Sequence, residues 1–251
     1  MKTKILGVKI DVVTYEQALK KIDVFLASGR HHVVTPNPEF VLEARSDREF
    51  RDIINKADMA IPDGFGLVVA SRFTKIRIKN AICGSDLVFD ILFKAEQKNL
   101  RILFLNIEEG LSSVDEIVEA SKKKYPELDV RSISVPRKKI FGKKLFKKVA
   151  DVKPNILFVA FGSPHQDKWI ARYLKNLPSV RLAMGVGGSV DFLTNKRRRA
   201  PKFFRALGLE WLHRLFSKPL SGNYHFRGRI KKVFKAVIVF PLVFIFTFNK
   251  G

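Results

Sequence analysis

Cysteine is nearly absent from this chain of 251 residues: Cys83 stands alone. One cysteine excludes an intramolecular disulfide and a cysteine-built metal cluster, and it fits a reducing compartment. Several motifs are missing as well. There is no D-x-D pair to hold a divalent metal, no P-loop, no H-E-x-x-H and no G-x-S-x-G. No apolar run approaches the ~20 residues of a spanning helix. The opening MKTKILGVKIDVVTYEQAL has no apolar signal core, so the cytoplasm is the expected location. Internal repeats and low-complexity linkers are also lacking.

Two features are present in excess. The formal net charge is +23, and phenylalanine occurs 22 times. Such a charge attracts polyanions, whether nucleic acid, an anionic bilayer or a phosphorylated substrate, without choosing among them. Its distribution is uneven. Residues 190–235 hold 13 Lys/Arg against two acids, interleaved with aromatics in NKRRRAPKFF, GLEWLHRLFSKP and NYHFRGRIKKVFK. The apolar AVIVFPLVFIFTF follows, interrupted by Pro241. Basic sequence followed by a Phe-rich segment suits the interface of an anionic membrane. Packing of that segment on the core is the alternative.

The rest of the chain alternates short β-rich runs with helical segments. KILGVKIDVVT reads as a strand or hairpin, Tyr15 to Ser28 as a helix stopped by Gly29, and HHVVTP as a strand. Helical sequence then runs through Ala57. Further helices are expected over Asp86 to Asn99, over Gly110 to Tyr125 and in FGKKLFKKVAD. RILFLN, DVRSISVP, NILFVAFG and RLAMGVGG read as strands. ILFL and ILFVAF are apolar throughout, as expected of parallel strands covered on both faces. The fold class is therefore α/β: a modified Rossmann-like parallel sheet with helices on both faces, plus a basic helical C-terminal appendage. The expected division is a core over 1–192 and an appendage over 193–251.

In such sheets ligands bind beyond the carboxyl ends of strands, so segments that follow strands carry the candidates. Thr35-Pro36-Asn37-Pro38-Glu39 offers hydrogen-bonding groups on a stiffened backbone, or simply a turn and helix start. Asp63, in IPDGFG, is either a general base or the N-cap of the next helix. FGSPHQDKW places Gln166 at a helix start, with His165 read as a solvated loop histidine. Gly185-Val186-Gly187-Gly188-Ser189 is a glycine-rich turn whose amides can approach phosphate oxygens.

Taken in order, TPNPEF, ADMAIPDGFG, CGSDL, FGSPHQDKW, GVGGSVDFL and RAPKFFRALGLEWLHRLFSKP resemble the blocks of the WecB/TagA/CpsF family of bacterial glycosyltransferases, from Val34 to Pro219. The resemblance implies inverting, metal-independent transfer of an N-acetylhexosamine-type sugar from a UDP-sugar donor to a polyprenyl diphosphate-linked acceptor. UDP-N-acetylmannosamine or its uronate are candidate donors, and the product serves cell-surface polysaccharide or teichoic acid synthesis. No cofactor is implied. Asp63 would be the general base, with Thr35, Asn37 and Gln166 binding substrate. The turn Gly185, Gly187, Gly188 and Ser189 would bind the nucleotide. Arg214 would bind the substrate diphosphate, with Arg227 and Arg229 as further candidates. The pattern departs at Ala81, where the family often has Arg, and at Asp167, where Glu is usual.

This reading places the protein peripherally on the cytoplasmic face of an anionic membrane and leaves homo-oligomerisation open. Two other readings stand beside it. A nucleic-acid-binding module draws on the charge, but helix-turn-helix, zinc-finger and aromatic RNP signatures are lacking, which makes nucleic acid the lesser partner. A catalytically impaired membrane-bound member draws on Ala81.

Overall fold

The structure is a computed structural model that describes residues 1–198, 200–201 and 233–248. Two compact units interleave along the chain. The first takes residues 1–18, 34–83 and the described residues from 198 on; the second takes 19–33 and 84–197.

The first unit opens with an antiparallel hairpin, β1 (Lys2–Ile5) and β2 (Val8–Asp11). Leu6 and Gly7 both take positive φ, at 47° and 88°, the signature of a two-residue primed turn. Ile5, Val8 and Ile10 point inward, and the carboxylate of Asp11 accepts from the backbone N–H of Ala60 at 2.8 Å. Where the sequence reads as one helical run through Ala57, the structure has two helices, α2 (Pro38–Ser46) and α3 (Arg48–Lys56). Asp47 makes the break. It ends α2 in extended backbone and caps α3, its carboxylate accepting from Phe50 N at 2.9 Å. β4 (Met59–Ala60) and α4 (Phe65–Ser71) follow.

The second unit carries most of α1 (Tyr15–Ala27), then β3 (His31–Val34), α5 (Gly84–Gln97), β5 (Ile102–Ile107) and α6 (Val114–Lys124). After β6 (Val130–Val135) come a 3-10 turn (Arg137–Lys139), α7 (Lys143–Val152), β7 (Ile156–Val159) and α8 (His165–Tyr173). β8 (Leu182–Gly185) and α9 (Ser189–Leu193) complete it. In this unit the strands run in the order β3-β8-β7-β5-β6, and the β3–β8, β8–β7, β7–β5 and β5–β6 pairings are parallel. Each residue of β5, β7 and β8 is buried, whereas edge strand β6 is partly open. This is the α/β architecture expected from the non-alternating apolar runs. From β5 the chain crosses through α6 to β6 on one side; from β7 it crosses through α8 to β8 on the other. The connections therefore diverge between β5 and β7, the place where α/β sheets open a crevice for ligands.

A π-helical turn (Lys235–Val239) leads into a final helix, α10 (Phe240–Phe248). Phe240 and Phe244, one turn apart, are 2% and 8% exposed and join the first unit's core beside Phe40, Val41, Leu67 and Val68. Burial of this kind stabilises by roughly 1.5–3 kcal/mol per side chain. Leu242, Ile245 and Phe246 are at least half exposed. Among the described residues no helix is long and apolar enough to cross a membrane.

Candidate active site

The sequence candidates fall into two groups, each described within its own unit. In the first unit, three backbone hydrogen bonds of 2.8 Å tie the blocks together. Ile61 N donates to Val34 O, Asp63 N to Pro36 O and Ile82 N to Pro62 O. Asp63 thus lies alongside the Thr35–Asn37 segment, and the segment containing Ala81 is fastened to the residue just before it. Asn37 has a structural task. Its Oδ1 accepts from Phe40 N at 2.9 Å and caps α2, with Pro38 in the first turn. The amide nitrogen of Asn37 is the part left for a ligand. Thr35 is half-buried.

Asp63 is not the helix cap that its neighbours in sequence suggest. Gly64 occupies the N-cap position of α4, with φ 93° and ψ 141°, and α4 has no side-chain cap hydrogen bond. A β-carbon at Gly66 would lie 2.8 Å from Pro38 Cγ. The glycines of PDGFG therefore let that loop rest on Pro38 of TPNPEF, and Asp63 belongs to a turn fixed on both sides. Asp63 is half-buried and stands one residue before that N-cap, and a carboxylate at such a strand end can accept a proton from a hydroxyl.

In the second unit, Gln166 lies in the first turn of α8, 3% exposed, and its Oε1 accepts from the backbone N–H of Gly187 at 3.1 Å. Gly185 is where the backbone comes closest: a β-carbon there would meet Gln166 Cδ at 2.7 Å. The carbonyl of Gln166 is spent on shaping the glycine turn, which leaves its NH₂ to a ligand. Next to it, Asp167 is fully buried and 3.4 Å from His32 Nε2. His165 is the first residue of α8 and half-buried.

The sequence reading missed a polar network beside the same turn. Ser112 Oγ donates to Asp191 Oδ1 at 2.9 Å, and Asn106 Nδ2 donates to Ser112 O at 2.6 Å. Arg197 Nε is 3.3 Å from Asp191 Oδ2. A β-carbon at Gly188 would come within 3.4 Å of Arg197 Nη1, so a guanidinium lies directly against the turn. Lys196 pairs with Glu116 at 2.5 Å and holds that carboxyl below its usual range. Two signals were available: Asn106 is the lone amide in ILFLNI, and Asp191 is an acid inside the apolar SVDFL. Arg214, Arg227 and Arg229 lie outside the described residues.

Comparison with known proteins bears on this arrangement. The model of the family described as Glycosyl transferase WecG/TagA/CpsF matches residues 3–237. Three relatives share the name N-acetylglucosaminyldiphosphoundecaprenol N-acetyl-beta-D-mannosaminyltransferase. The chain is 33% identical to that of Bacillus spizizenii, over 74% of this chain and 71% of the relative. It is 31% identical to that of Bacillus subtilis, over 74% and 72%. It is likewise 31% identical to that of Staphylococcus aureus, over 85% and 84%.

Proposed function

Because the chain belongs to the WecG/TagA/CpsF family of glycosyl transferases, we propose that it moves an N-acetylhexosamine, with N-acetylmannosamine the first candidate, from a UDP-sugar to a sugar on polyprenyl diphosphate. The observation that carries this reading is the placing of Asp63. Asp63 follows a strand, directly precedes the N-cap glycine of α4 and is held beside Thr35 and Asn37 by a backbone bond.

In the proposed step an acceptor hydroxyl oxygen attacks the anomeric carbon of the donor. The bond from that carbon to the diphosphate oxygen breaks, UDP leaves, and the hydroxyl proton passes to Asp63. A single displacement of this kind inverts the anomeric configuration. The leaving diphosphate is stabilised by cations and backbone amides. Arg214 is proposed for this, with Arg227, Arg229 and Arg197 as further cations. The turn from Gly185 to Ser189, ordered by Gln166, takes the nucleotide. Work on a lipid-linked acceptor places the protein peripherally on the cytoplasmic face of an anionic membrane, and the appendage from residue 193 on is proposed to contribute to that attachment. The pathway served is cell-surface polysaccharide or teichoic acid synthesis.

The deciding assay offers a panel of radiolabelled UDP-sugars with polyprenyl diphosphate-linked N-acetylglucosamine in vesicles, in the presence of EDTA. Transfer of label to the lipid fraction with inverted configuration is expected. If no donor transfers with or without divalent metal, the chain is a non-catalytic member and the proposal fails. Ala81→Arg, next to the Ile82–Pro62 hydrogen bond, is expected to change the donor preference across that panel.

A second prediction concerns the turn. Gly185→Ala forces the Gln166 side chain off Gly187, because the new methyl overlaps its amide. The expected result is a KM for the UDP-sugar raised about tenfold or more, with a stability loss of about 1–3 kcal/mol from overpacking. Steady-state kinetics and thermal unfolding on the same preparation read the two effects separately.

A further inference from the structure

The second unit carries a basic surface that the proposed transfer does not use. From residue 130 to 150 there is no Asp or Glu, while Lys138, Lys139, Lys143, Lys144, Lys147 and Lys148 crowd into 11 residues. All six are exposed. Four of them line one side of α7 at i, i+1, i+4 and i+5, and Leu145 and Val149 on the other side are buried. Asp151, the acid of this helix, falls in its last turn.

Helix stability does not account for these lysines. Lys143 and Lys144 sit in the first turn, where the positive end of the helix dipole disfavours cations, and the N-cap is Gly142 with no side-chain hydrogen bond. Like charges at i and i+4, as in Lys143–Lys147 and Lys144–Lys148, are also unfavourable. Each of these features would be relieved by a surface of negative charge.

The patch is held rigidly from beneath. Trp169 Nε1 donates to Ile140 O at 2.8 Å, and Tyr173 Oη donates to Phe141 O at 2.7 Å. The Phe146 and Tyr173 rings stack with centroids 5.2 Å apart. Trp169 and Tyr173 belong to α8, whose first turn carries Gln166.

We propose that the face formed by Lys138–Lys148 docks on an anionic phospholipid surface, as a membrane contact additional to the basic C-terminal region. Docking there fixes the orientation of α8, and with it Gln166 and the glycine turn, relative to the bilayer. Charge complementarity selects the occupant: each lysine near an anionic leaflet adds to the attraction. The proposal rests on the reading above in one respect, since a lipid-linked acceptor makes orientation at a membrane useful.

The test uses the full chain and two charge-matched variants. One replaces Lys143, Lys144, Lys147 and Lys148 by Gln; the other replaces the exposed Lys20, Lys98, Lys122 and Lys123 by Gln. Each lowers the net charge from +23 to +19. Co-sedimentation with phosphatidylglycerol/phosphatidylcholine vesicles is expected to show partitioning weaker by about tenfold or more for the α7 variant. The control variant should lose much less, and pure phosphatidylcholine should bind neither. Circular dichroism checks that both variants are folded. Equal losses in the two variants, or none in the α7 variant, overturn the proposal. So does an α7 variant that loses single-stranded RNA binding while keeping the vesicles. Binding is read without turnover, so absence of transfer by the unsubstituted chain would strike the functional reading and leave the vesicle result to decide this one.

Discussion

Asp63→Asn is expected to lower turnover by about 10²–10⁴-fold, the contribution of a positioned general base. The substitution is nearly isosteric, and the loop it occupies is fixed by backbone groups: Asp63 N on Pro36 O, Ile82 N on Pro62 O, and Gly64 at the cap position. Asparagine keeps those backbone bonds, so the thermal midpoint should move little. Affinity for UDP should also stay near that of the unsubstituted chain, because the amide removes only the proton acceptor. A kcat that falls while nucleotide binding and stability hold is the pattern of an interaction made in the transition state. Turnover within threefold of the unsubstituted chain would remove Asp63 from the base role. Asp63→Glu is the companion. It keeps the carboxylate but moves it by one methylene, and partial activity is expected because the base must reach the hydroxyl within hydrogen-bond distance.

Trp169→Ala is expected to destabilise the second unit by about 3–5 kcal/mol, the range for removing a buried aromatic. Trp169 is fully buried in the cluster with Leu157, Val159, Phe161 and Ile170. Its ring lies edge-on to Phe161 at 6.3 Å and tilted against Tyr173 at 4.8 Å. Its N–H also satisfies the carbonyl of Ile140. Truncation opens a cavity and strands that carbonyl in one step. Trp169→Phe separates the two effects: most of the packing stays, the hydrogen bond goes, and a loss of about 1–3 kcal/mol is expected. Urea unfolding of the three proteins should therefore rank them Trp, Phe, Ala. A Trp169→Ala loss below 1 kcal/mol would mean that α8 and the Ile140 segment do not depend on this junction.

What could be read from the sequence followed from how local each cause is. β5 and β7 were legible because strands covered on both faces have no room for polar alternation. α1 was legible because its apolar spacing and Gly29 mark both its face and its end. The break at Asp47 was hidden. The helical pattern runs on across it, and only the capping of Phe50 N, with Phe50 buried in the core, divides α2 from α3. Asp63 was ambiguous for a similar reason, since Asp and Gly both serve as N-caps; only the backbone at Gly64 tells which of them does. Gln166 was found by its place in a motif, yet its partner Gly187 is 21 residues away, a pairing that periodicity cannot reveal. The link from Ser112 to Asp191 spans 79 residues and was equally out of reach.

The interleaving of the two units bears on how the protein is made. A ribosome releases residues 19–33 and 84–197 well before residue 240, so the second unit has its whole sequence in hand first. The first unit begins at Met1, but its core includes Phe240 and Phe244 and stays unfilled until those residues emerge. Domains made in sequence order usually fold from the N-terminus onward. Here the order is reversed: the part that contains Asp63 is completed last, and the nascent chain must keep Phe40, Val41 and Leu67 from wrong partners until then.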